Sequence, residues 1–248
     1  MNMKPTYSQK FTLTDTDVDC FGRMKLSTLL TCAQEVAGKH SALLGADYSS
    51  LLEKQLFWAV TRHRVQITRL PMLGETITVE TWPMPTTRVA YPRSLVALDA
   101  DGNELFRSIS LWVLMDMNSR AMVLPGKSGV EVNGTLTGSE IAVPHSLVPK
   151  VMPNTMQRTV TYTCLDRNGH MNNTRYLDWV EDLLPASFHR ENTPRELVIC
   201  YLNEALEGNV LQLQWELTSE GILQVDAHRE NTDVSGKNSR VFSAQLLY

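Results

Sequence analysis

One loop sequence occurs twice in this chain and sets the strongest limit on its fold. Residues 19–24 read DCFGRM and residues 166–171 read DRNGHM, so Asp, Gly and Met recur at the same positions with an offset of 147. Gly74 and Gly208 form another pair with an offset of 134, and a longer helical region in the first copy accounts for the difference of 13. A repeat of this kind predicts one structural unit used twice.

The first copy is predicted to contain a helix followed by antiparallel strands. Apolar residues recur every three or four positions from 26 to 44, which is typical of a helix with one buried face. Alternating residues then predict two strands within 58–81, joined as a hairpin by a turn at Gly74. Two further strands are expected at 89–98 and 105–116. The order is therefore a helix and then a meander of strands.

The second copy repeats this order after a connector. Gly, Ser, Thr and Pro cluster between 125 and 150 without sustained periodicity, which indicates a surface segment between two units. We therefore predict an α+β protein with an N-terminal unit at 1–125, a linker at 126–150 and a C-terminal unit at 151–248. In the second unit we expect an extended run at 158–163, a helix at about 174–184, and strands near 197–203, 210–218, 223–229 and 239–247.

Composition excludes several classes of protein. Hydrophobic residues make up 43% of the chain and charged residues 20%, which excludes a disordered or collagen-like chain. Lys and Arg number 23 against 27 Asp and Glu, and the net charge of −4 argues against a nucleic-acid partner. The longest apolar stretches, such as 111–115, fall far short of the roughly 20 residues of a membrane span, and residues 1–12 are too polar for a signal peptide. We therefore expect a cytoplasmic protein without a membrane span.

Motifs that would indicate several enzyme classes are missing from the sequence. No GxSxG, GxGxxG, GxxxxGK or HExxH is found, which lowers the odds of a serine hydrolase, a dinucleotide enzyme, an NTPase or a zinc protease. The four cysteines are scattered and form no CxxC pair, so they predict neither a disulfide frame nor a zinc site. No metal is expected.

The two copies of the loop differ in their polar residues. Asn168 and His170 of the second copy are replaced by Phe21 and Arg23 in the first, and Asn172 and Asn173 by Lys25 and Leu26. If these polar groups served only the turn, the first copy would need them as well. Asn-rich turns do cap helices, and a single His is often structural. The comparison nevertheless favours a functional role for Asn168 and His170.

Two acidic residues carry a weaker signal. Asp166 has Asp19 as its counterpart, so a role in shaping the turn explains both residues. Glu204 has Leu70 as its counterpart, although a glutamate near a turn is usually just solvated. The densest basic region predicts either a solvated strand face or a dock for an acidic group, and consists of Arg62, His63, Arg64, Arg69, Arg88 and Arg93.

Residues 166–176, DRNGHMNNTRY, resemble the D-x-N-x-H-x-N-N-x-x-Y signature of the acyl-acyl carrier protein thioesterases. That family includes the plant plastid enzymes and bacterial relatives. Segments of the first copy resemble the family's N-terminal unit in order and spacing: WAVTR at 58–62, the stretch from Gly74-Glu75 to ETWP at 80–83, and SLWVLMD at 110–116. The likeness extends from about residue 7 to residue 247.

The resemblance implies a double hotdog, in which two fused units each consist of a long helix wrapped by an antiparallel sheet. It also implies hydrolysis of the thioester between a fatty acyl chain and acyl carrier protein, which releases a free fatty acid and ends chain elongation. No metal or cofactor is implied, and acyl carrier protein is the implied partner. Because a double hotdog already pairs two units within one chain, both a monomer and a homodimer stay open.

By position, the resemblance assigns Asp166, Asn168 and His170 to the catalytic loop and Glu204 to the acidic residue of the second unit. A cysteine follows that acid in the plant pattern, whereas Ala205 stands here, which favours attack by water. We expect Glu204 to act as the base, with Asn168 and His170 positioning water or substrate. Asp166 would fix the loop or polarise His170.

The first unit is expected to act as a scaffold and to help bind the acyl chain. Leu29, Leu30, Ala33 and Val36 are candidates for an apolar slot, although ordinary core packing is the favoured explanation for each of them. An acidic carrier protein would dock on the region from Arg62 to Arg69 or on Arg167 and Arg175.

Three other functions stay open at this point. A thioesterase acting on coenzyme A esters would use the same bond and the same arm. A catalytically inactive acyl-binding module would keep the fold without the chemistry. A hotdog dehydratase, the weakest of the three, would act on a hydroxyacyl chain without releasing the thiol.

Overall fold

Two units make up the chain in the computed structural model, Met1–Pro144 (unit 1) and His145–Tyr248 (unit 2). The structure describes residues 5–134, 136, 141–229 and 240–248. The division between the units lies within the connector predicted at 126–150, of which residues 135 and 137–140 lie outside the described residues. Across the part of the chain that is described, no helix combines the length and the apolar character needed to span a bilayer.

Unit 1 has five principal strands, all paired antiparallel, in the order β1-β3-β4-β5-β2. A further strand of two residues, β6, pairs with β5. The elements are β1 (Tyr7–Thr12), α1 (Leu26–Leu43), α2 (Tyr48–Glu53), β2 (Leu56–Ile67), β3 (Thr76–Pro83), β4 (Tyr91–Leu98), β5 (Glu104–Asp116), β6 (Met122–Val123) and α3 (Pro125–Ser128).

The long helix predicted in unit 1 is confirmed as α1. Its apolar face is buried at Leu26, Leu29, Leu30, Ala33 and Val36, none of which is more than 6% exposed. Burial of this face provides most of the stability of such a helix, because isolated helices of this length are marginal in water.

The hairpin predicted between the first two long strands is wrong. β2 pairs with β5, whereas β3 pairs with β1 and β4. The turn at Gly74, which leads into β3, is hydrogen-bonded to the residue that follows β1. The Gly74 amide donates to the Leu13 carbonyl at 3.0 Å, and the Leu13 amide donates to the Glu75 carbonyl at 3.0 Å. Gly74 has a φ of +80°, a left-handed conformation that glycine adopts without strain.

Unit 2 repeats the strand order of unit 1. Its strands pair antiparallel in the order β7-β9-β10-β11-β8, which corresponds strand by strand to β1-β3-β4-β5-β2. The predicted repeat and the double hotdog fold are thereby confirmed. The elements are β7 (Asn154–Thr159), α4 (Arg175–Glu181), α5 (Ala186–Glu191), β8 (Glu196–Tyr201), β9 (Val210–Leu217), β10 (Ile222–Arg229) and β11 (Arg240–Leu247).

Unit 2 departs from the predicted elements at its start and in its helix. The extended run expected at 158–163 lies earlier, as β7, and Tyr162–Cys164 forms a 3₁₀ turn. The helix expected at about 174–184 is α4, which ends three residues early at Glu181, and Pro185 has extended backbone and disfavours helix at the residue before it. A second short helix, α5, follows Pro185, so unit 2 has two short helices in place of the long one that the resemblance implies. The last strand was expected from residue 239, which lies outside the described residues; β11 begins at Arg240.

A buried ion pair joins β10 and β11. Asp226 is 1% exposed, and its Oδ1 accepts a hydrogen bond from Arg240 Nε at 2.6 Å and another from Arg240 Nη2. Arg240 Nη2 also donates to the Leu147 carbonyl at 3.1 Å, and the Lys150 amide donates to Asp226 Oδ2 at 3.4 Å. The pair therefore fastens the first residues of unit 2 to its sheet.

Candidate active site

The loop before α4 is a tight turn held by Asp166. The Asp166 amide donates to the His170 carbonyl at 2.7 Å, and the Gly169 amide donates back to the Asp166 carbonyl at 3.0 Å. Asp166 Oδ1 accepts from the amides of Asn168 at 2.8 Å and His170 at 3.2 Å. One carboxylate oxygen therefore binds two backbone amides, which gives Asp166 a turn-shaping role.

The corresponding loop of unit 1 has the same backbone without the same polar side chains. Asp19 Oδ1 accepts from the amides of Phe21 at 2.8 Å and Arg23 at 2.9 Å. Gly22 and Gly169 have φ values of +76° and +77°. The same turn therefore forms with Asn and His at these two positions in unit 2 and with Phe and Arg at them in unit 1.

Backbone pairing brings His170 next to Glu204. His170 forms an isolated antiparallel bridge with Leu206, and the Met171 amide donates to the Ala205 carbonyl at 2.8 Å. As a result, His170 Nε2 lies 3.3 Å from Glu204 Oε2. The His170 side chain is 11% exposed and that of Glu204 is 42% exposed, so the carboxylate is the member of the pair that water can reach.

Asn168 lies at the exposed tip of the same loop. Its backbone amide donates to Asp166 Oδ1, but its side-chain carboxamide makes no hydrogen bond with any described residue. The structure therefore joins His170 and Glu204 directly, places Asp166 beneath the turn, and leaves the Asn168 carboxamide open to solvent.

Unit 1 has no such pair at the matching positions. Arg23, the counterpart of His170, donates from Nη2 and Nε to Asp19 Oδ2 at 2.9 and 3.1 Å. Leu70, the counterpart of Glu204, is 8% exposed. The polar pair is therefore a feature of unit 2 alone at this place in the repeat.

Two residues to which the sequence analysis assigned no role lie near the pair. Tyr176 is 4% exposed, with its ring 4.7 Å from that of Phe242, and burial together with the charges of Asp166 and Glu204 raises the pKa of its phenol. Arg229, at the end of β10, donates from Nη2 to the Glu204 carbonyl at 2.6 Å. Tyr176 is the final residue of the signature, whereas Arg229 is separated by 25 residues from the acid and has no sequence motif.

No thiol takes the place that the plant pattern gives to a cysteine. Ala205 is fully buried, directly after Glu204. Cys200 is 1% exposed and donates to the His145 carbonyl at 3.5 Å, and Cys164 Sγ lies 3.6 Å from Thr161 Oγ1. Among the described residues, no three His, Cys, Asp or Glu side chains are grouped as metal ligands would be.

The basic region predicted on the strands of unit 1 is not a continuous exposed face. His63 and Arg93 are 2% and 6% exposed, and burial lowers the pKa of His63 to about 4 and that of Arg93 to about 10. Arg93 Nη1 lies 3.2 Å from His40 Nδ1. Arg69 is neutralised by Glu75, whose Oε2 lies 2.8 Å from its Nη1. This region is therefore a poor candidate for docking an acidic partner.

Family models and curated relatives cover most of the chain. The model of the acyl-ACP thioesterase N-terminal domain matches residues 4–124, and that of the C-terminal domain matches residues 150–243. A chloroplastic palmitoyl-acyl carrier protein thioesterase of Gossypium hirsutum is 26% identical over 83% of this chain and 54% of its own length. A chloroplastic dodecanoyl-[acyl-carrier-protein] hydrolase of Cinnamomum camphora is 28% identical over 72% of this chain and 51% of its own length. The chain thus spans about half the length of these relatives.

Solved structures share the fold over nearly the full chain. An acyl-ACP thioesterase from Bacteroides thetaiotaomicron superposes with a TM-score of 0.88 at 22% identity, covering 98% of this chain and 97% of the other. A 12:0-ACP thioesterase from Umbellularia californica superposes with a TM-score of 0.81 at 21% identity and the same coverage. These similarities show the fold, and the two family models, which match in the expected order over most of the chain, show that it belongs to the acyl-ACP thioesterase family.

Proposed function

We propose that the protein hydrolyses the thioester of fatty acyl-acyl carrier protein and releases a free fatty acid. The contact between His170 Nε2 and Glu204 Oε2 carries this proposal, because it joins an imidazole to a water-accessible carboxylate in the unit that retains the family's loop. The names of the relatives, which act on palmitoyl, oleoyl and dodecanoyl carrier proteins, supply the substrate class.

The proposed reaction needs only water and groups that the chain itself contains. A water molecule attacks the thioester carbonyl carbon and gives its proton to the Glu204 carboxylate, forming a tetrahedral oxyanion. The carbon–sulfur bond then breaks, the carboxylic acid leaves, and the proton passes to the thiolate of the carrier arm. Because Ala205 replaces the plant cysteine, the proposal includes no covalent acyl-enzyme at that position.

The exposures of the two side chains suggest how the roles divide. Glu204 is the more exposed of the pair and is assigned the role of base, whereas the more buried His170 orients the carboxylate. The exposed carboxamide of Asn168 is assigned to the developing oxyanion or to the substrate, where one donor is typically worth about 10² to 10³ in rate. Asp166 is assigned to the loop, because its Oδ1 binds two backbone amides.

The remaining assignments from the sequence are part of the proposal. Unit 1 acts as a scaffold that helps bind the acyl chain, and unit 2 is the catalytic unit. Arg167 and Arg175, which are exposed near the loop, are the better candidates for an acidic carrier protein, although Arg175 also pairs with Asp178 at 3.2 Å. A cytoplasmic location and a monomeric or homodimeric state stay predictions.

Thiol release from a panel of acyl-acyl carrier protein substrates, from eight to eighteen carbons, tests the proposal. The matching coenzyme A esters are assayed beside them, with wild type and His170→Ala. We expect release that favours the carrier protein and is lost in the variant. Release from coenzyme A esters alone would replace the proposed substrate, and no release from either series would favour an inactive acyl-binding module.

A further inference from the structure

The stretch that carries Glu204 follows β8 without being a regular strand itself, so other segments hold it in place. The Val241 carbonyl accepts from the amides of Leu202 at 2.8 Å and Asn203 at 3.1 Å. Asn203 Nδ2 donates to the Arg240 carbonyl at 2.7 Å. The start of β11 therefore fixes the two residues immediately before Glu204.

Arg229 fixes Glu204 itself. Its Nη2 donates to the Glu204 carbonyl at 2.6 Å, and its Nε is buried, so the guanidinium is partly embedded rather than free in solvent. A hydrogen bond from a charged donor is stronger than one from a neutral donor, and its direction fixes the accepting group. Arg229 thus connects the end of β10 to the backbone of the proposed base.

A β-bulge lies between Arg229 and the stretch that leads to Glu204. In the pairing of β10 with β11, Ala227 faces Phe242 and His228 faces Arg240, so that Val241 of β11 is the extra residue. Bulges of this kind bend the strand that contains the extra residue and are frequent beside active sites. Arg229 comes directly after this bulge, and the carbonyl of the extra residue binds the stretch that leads to Glu204.

Unit 1 repeats this bulge without the arginine. Ala97 faces Phe106 and Leu98 faces Glu104, so Leu105 is the extra residue, and its carbonyl accepts from the amides of Thr68 at 2.9 Å and Arg69 at 3.1 Å. The residue after the bulge is Asp99, which contacts Arg69 at 3.6 Å. The fold therefore forms with an acidic residue at this place, and an arginine stands there only in the unit that also has Glu204.

We propose that Arg229 is a positioning residue that holds the backbone of Glu204 and places a positive charge beside the His170–Glu204 pair. This inference rests on the proposed function, because it assigns to Arg229 a role through the base of that reaction. Tyr176 in α4 feels the charges of Glu204 and Arg229 together with those of Asp166 and Cys164 at the loop, so Arg229 shares the surroundings of the proposed base.

The test compares Arg229→Met, which removes the charge and the donor, with Arg229→Lys, which keeps the charge. Arg158→Met is the matched control, since Arg158 pairs with Asp182 at 2.8 Å on the surface of the same unit. With an acyl carrier protein substrate, we expect Arg229→Met to lower kcat by about 10- to 100-fold relative to the wild-type enzyme, with little change in KM. A loss of this size is typical of removing a hydrogen bond that involves a charged group. Arg229→Lys should recover part of the loss, and Arg158→Met should retain wild-type kcat.

Rescue by the conservative variant separates positioning from a merely structural role. Arg229→Lys keeps a charged donor and should recover part of kcat at an unchanged melting temperature, whereas in a merely structural role kcat would follow the stability of the variants. In a Glu204→Gln background, Arg229→Met should cause no further loss, since the two residues act as one unit. If Arg229→Met does not fold by circular dichroism, the comparison of Arg229→Lys with Arg158→Lys carries the test.

The outcomes distinguish this inference from the function beneath it. Loss of activity in Glu204→Gln with wild-type kcat in Arg229→Met would overturn the role of Arg229 and leave the thioesterase intact. Wild-type activity in Glu204→Gln would overturn both. If the loss of kcat in the double variant is the product of the losses in the two single variants, Arg229 acts independently of Glu204, which also contradicts the inference.

Discussion

Arg23 and His170 occupy the same position in two turns with the same backbone hydrogen bonds. Each accepts through its carbonyl from the amide of the aspartate four residues earlier, at 2.7 Å in both units. Arg23 turns back to pair with that aspartate, whereas His170 contacts Glu204 of the following stretch. The repeat thus provides an internal reference in which the scaffold is constant and the chemistry is not.

This relationship predicts the effect of removing either member of the pair. We expect Glu204→Gln and His170→Ala to reduce thiol release by about 10² to 10⁴, the usual contribution of general acid–base catalysis, with little change in thermal stability. Glu204 is substantially exposed, so its replacement by the isosteric amide leaves the fold unstrained.

Arg23→Ala is the matched control for His170→Ala, because it changes the same position of the unit 1 turn. It should leave kcat within a few-fold of wild type, measured with the same carrier-protein substrate. Near-normal turnover of a folded Glu204→Gln enzyme would contradict the assignment of the base.

Asp166 provides a second prediction that separates shape from charge. Asp166→Asn keeps an oxygen able to accept from the amides of Asn168 and His170, so the turn and most of the activity should be retained. Asp166→Ala removes both hydrogen bonds and should cost about 0.5 to 2 kcal/mol of stability together with a large part of kcat, by analogy with the loss of a capping side chain.

Thermal unfolding and kcat measured on both variants check this prediction. Asp19→Ala in unit 1 is the control, since it should lower the stability by a similar amount and affect kcat much less. Equal losses of kcat in Asp166→Asn and Asp166→Ala would instead show that the negative charge acts on His170.

Much of this site could be predicted from the sequence because the repeat compares two copies of one turn. The helix α1 follows from the periodicity of its apolar residues. The grouping of Asp166 and Glu204 with His170 in one site follows from the resemblance. Arg229 could not be found in this way, because its approach to Glu204 depends on a bulge that shifts the register between β10 and β11. A bulge changes strand pairing without leaving a clear pattern of hydrophobic residues.

Long-range pairing also explains the errors in the predicted fold. A hairpin between β2 and β3 is the simplest arrangement for consecutive strands. Instead, the segment 68–75 that connects them is hydrogen-bonded at its start to Leu105 of β5 and at its end to Leu13, the residue after β1. The prediction of an exposed basic face in unit 1 was wrong for a related reason. Alternation predicts which residues share a face of a strand, but it does not predict that the face with His63 is buried.

His63 leads to a prediction about stability and pH. Burial lowers its pKa to about 4, whereas a histidine in the unfolded chain titrates near about 6.5. Between these values the unfolded state binds more protons than the folded state, so the free energy of unfolding should fall as the pH is lowered from about 6.5 to about 4, by on the order of 3 kcal/mol at most. Above about pH 6.5 this contribution is fully present.

His63→Leu tests this prediction, because Leu197 stands at the corresponding position of β8 and is fully buried there. Chemical denaturation at a series of pH values gives the free energy of unfolding for both proteins. We expect the variant to lose less stability than wild type between pH 6.5 and pH 4. Parallel curves for the two proteins across this window would show that His63 does not cause the dependence.

The ion pair of Asp226 and Arg240 gives the last prediction. Asp226 is 1% exposed and the Arg240 side chain 12%, so Asp226→Asn leaves a nearly buried guanidinium without its counter-charge. Breaking a buried pair in this way typically costs about 3 to 5 kcal/mol, and the 147–150 segment should be released with it. Asp182→Asn, which breaks the exposed pair with Arg158, is the control and should cost no more than about 1 kcal/mol.

Urea unfolding midpoints and hydrogen exchange of residues 147–150 measure the two effects. The amide of Lys150 donates to Asp226 and the Leu147 carbonyl accepts from Arg240, so exchange in this segment should accelerate in Asp226→Asn and not in Asp182→Asn. The double variant Asp226→Leu with Arg240→Met should recover most of the midpoint, since a buried pair can often be replaced by apolar side chains of similar volume. A wild-type midpoint in Asp226→Asn would mean that the pair contributes nothing net to the stability of unit 2.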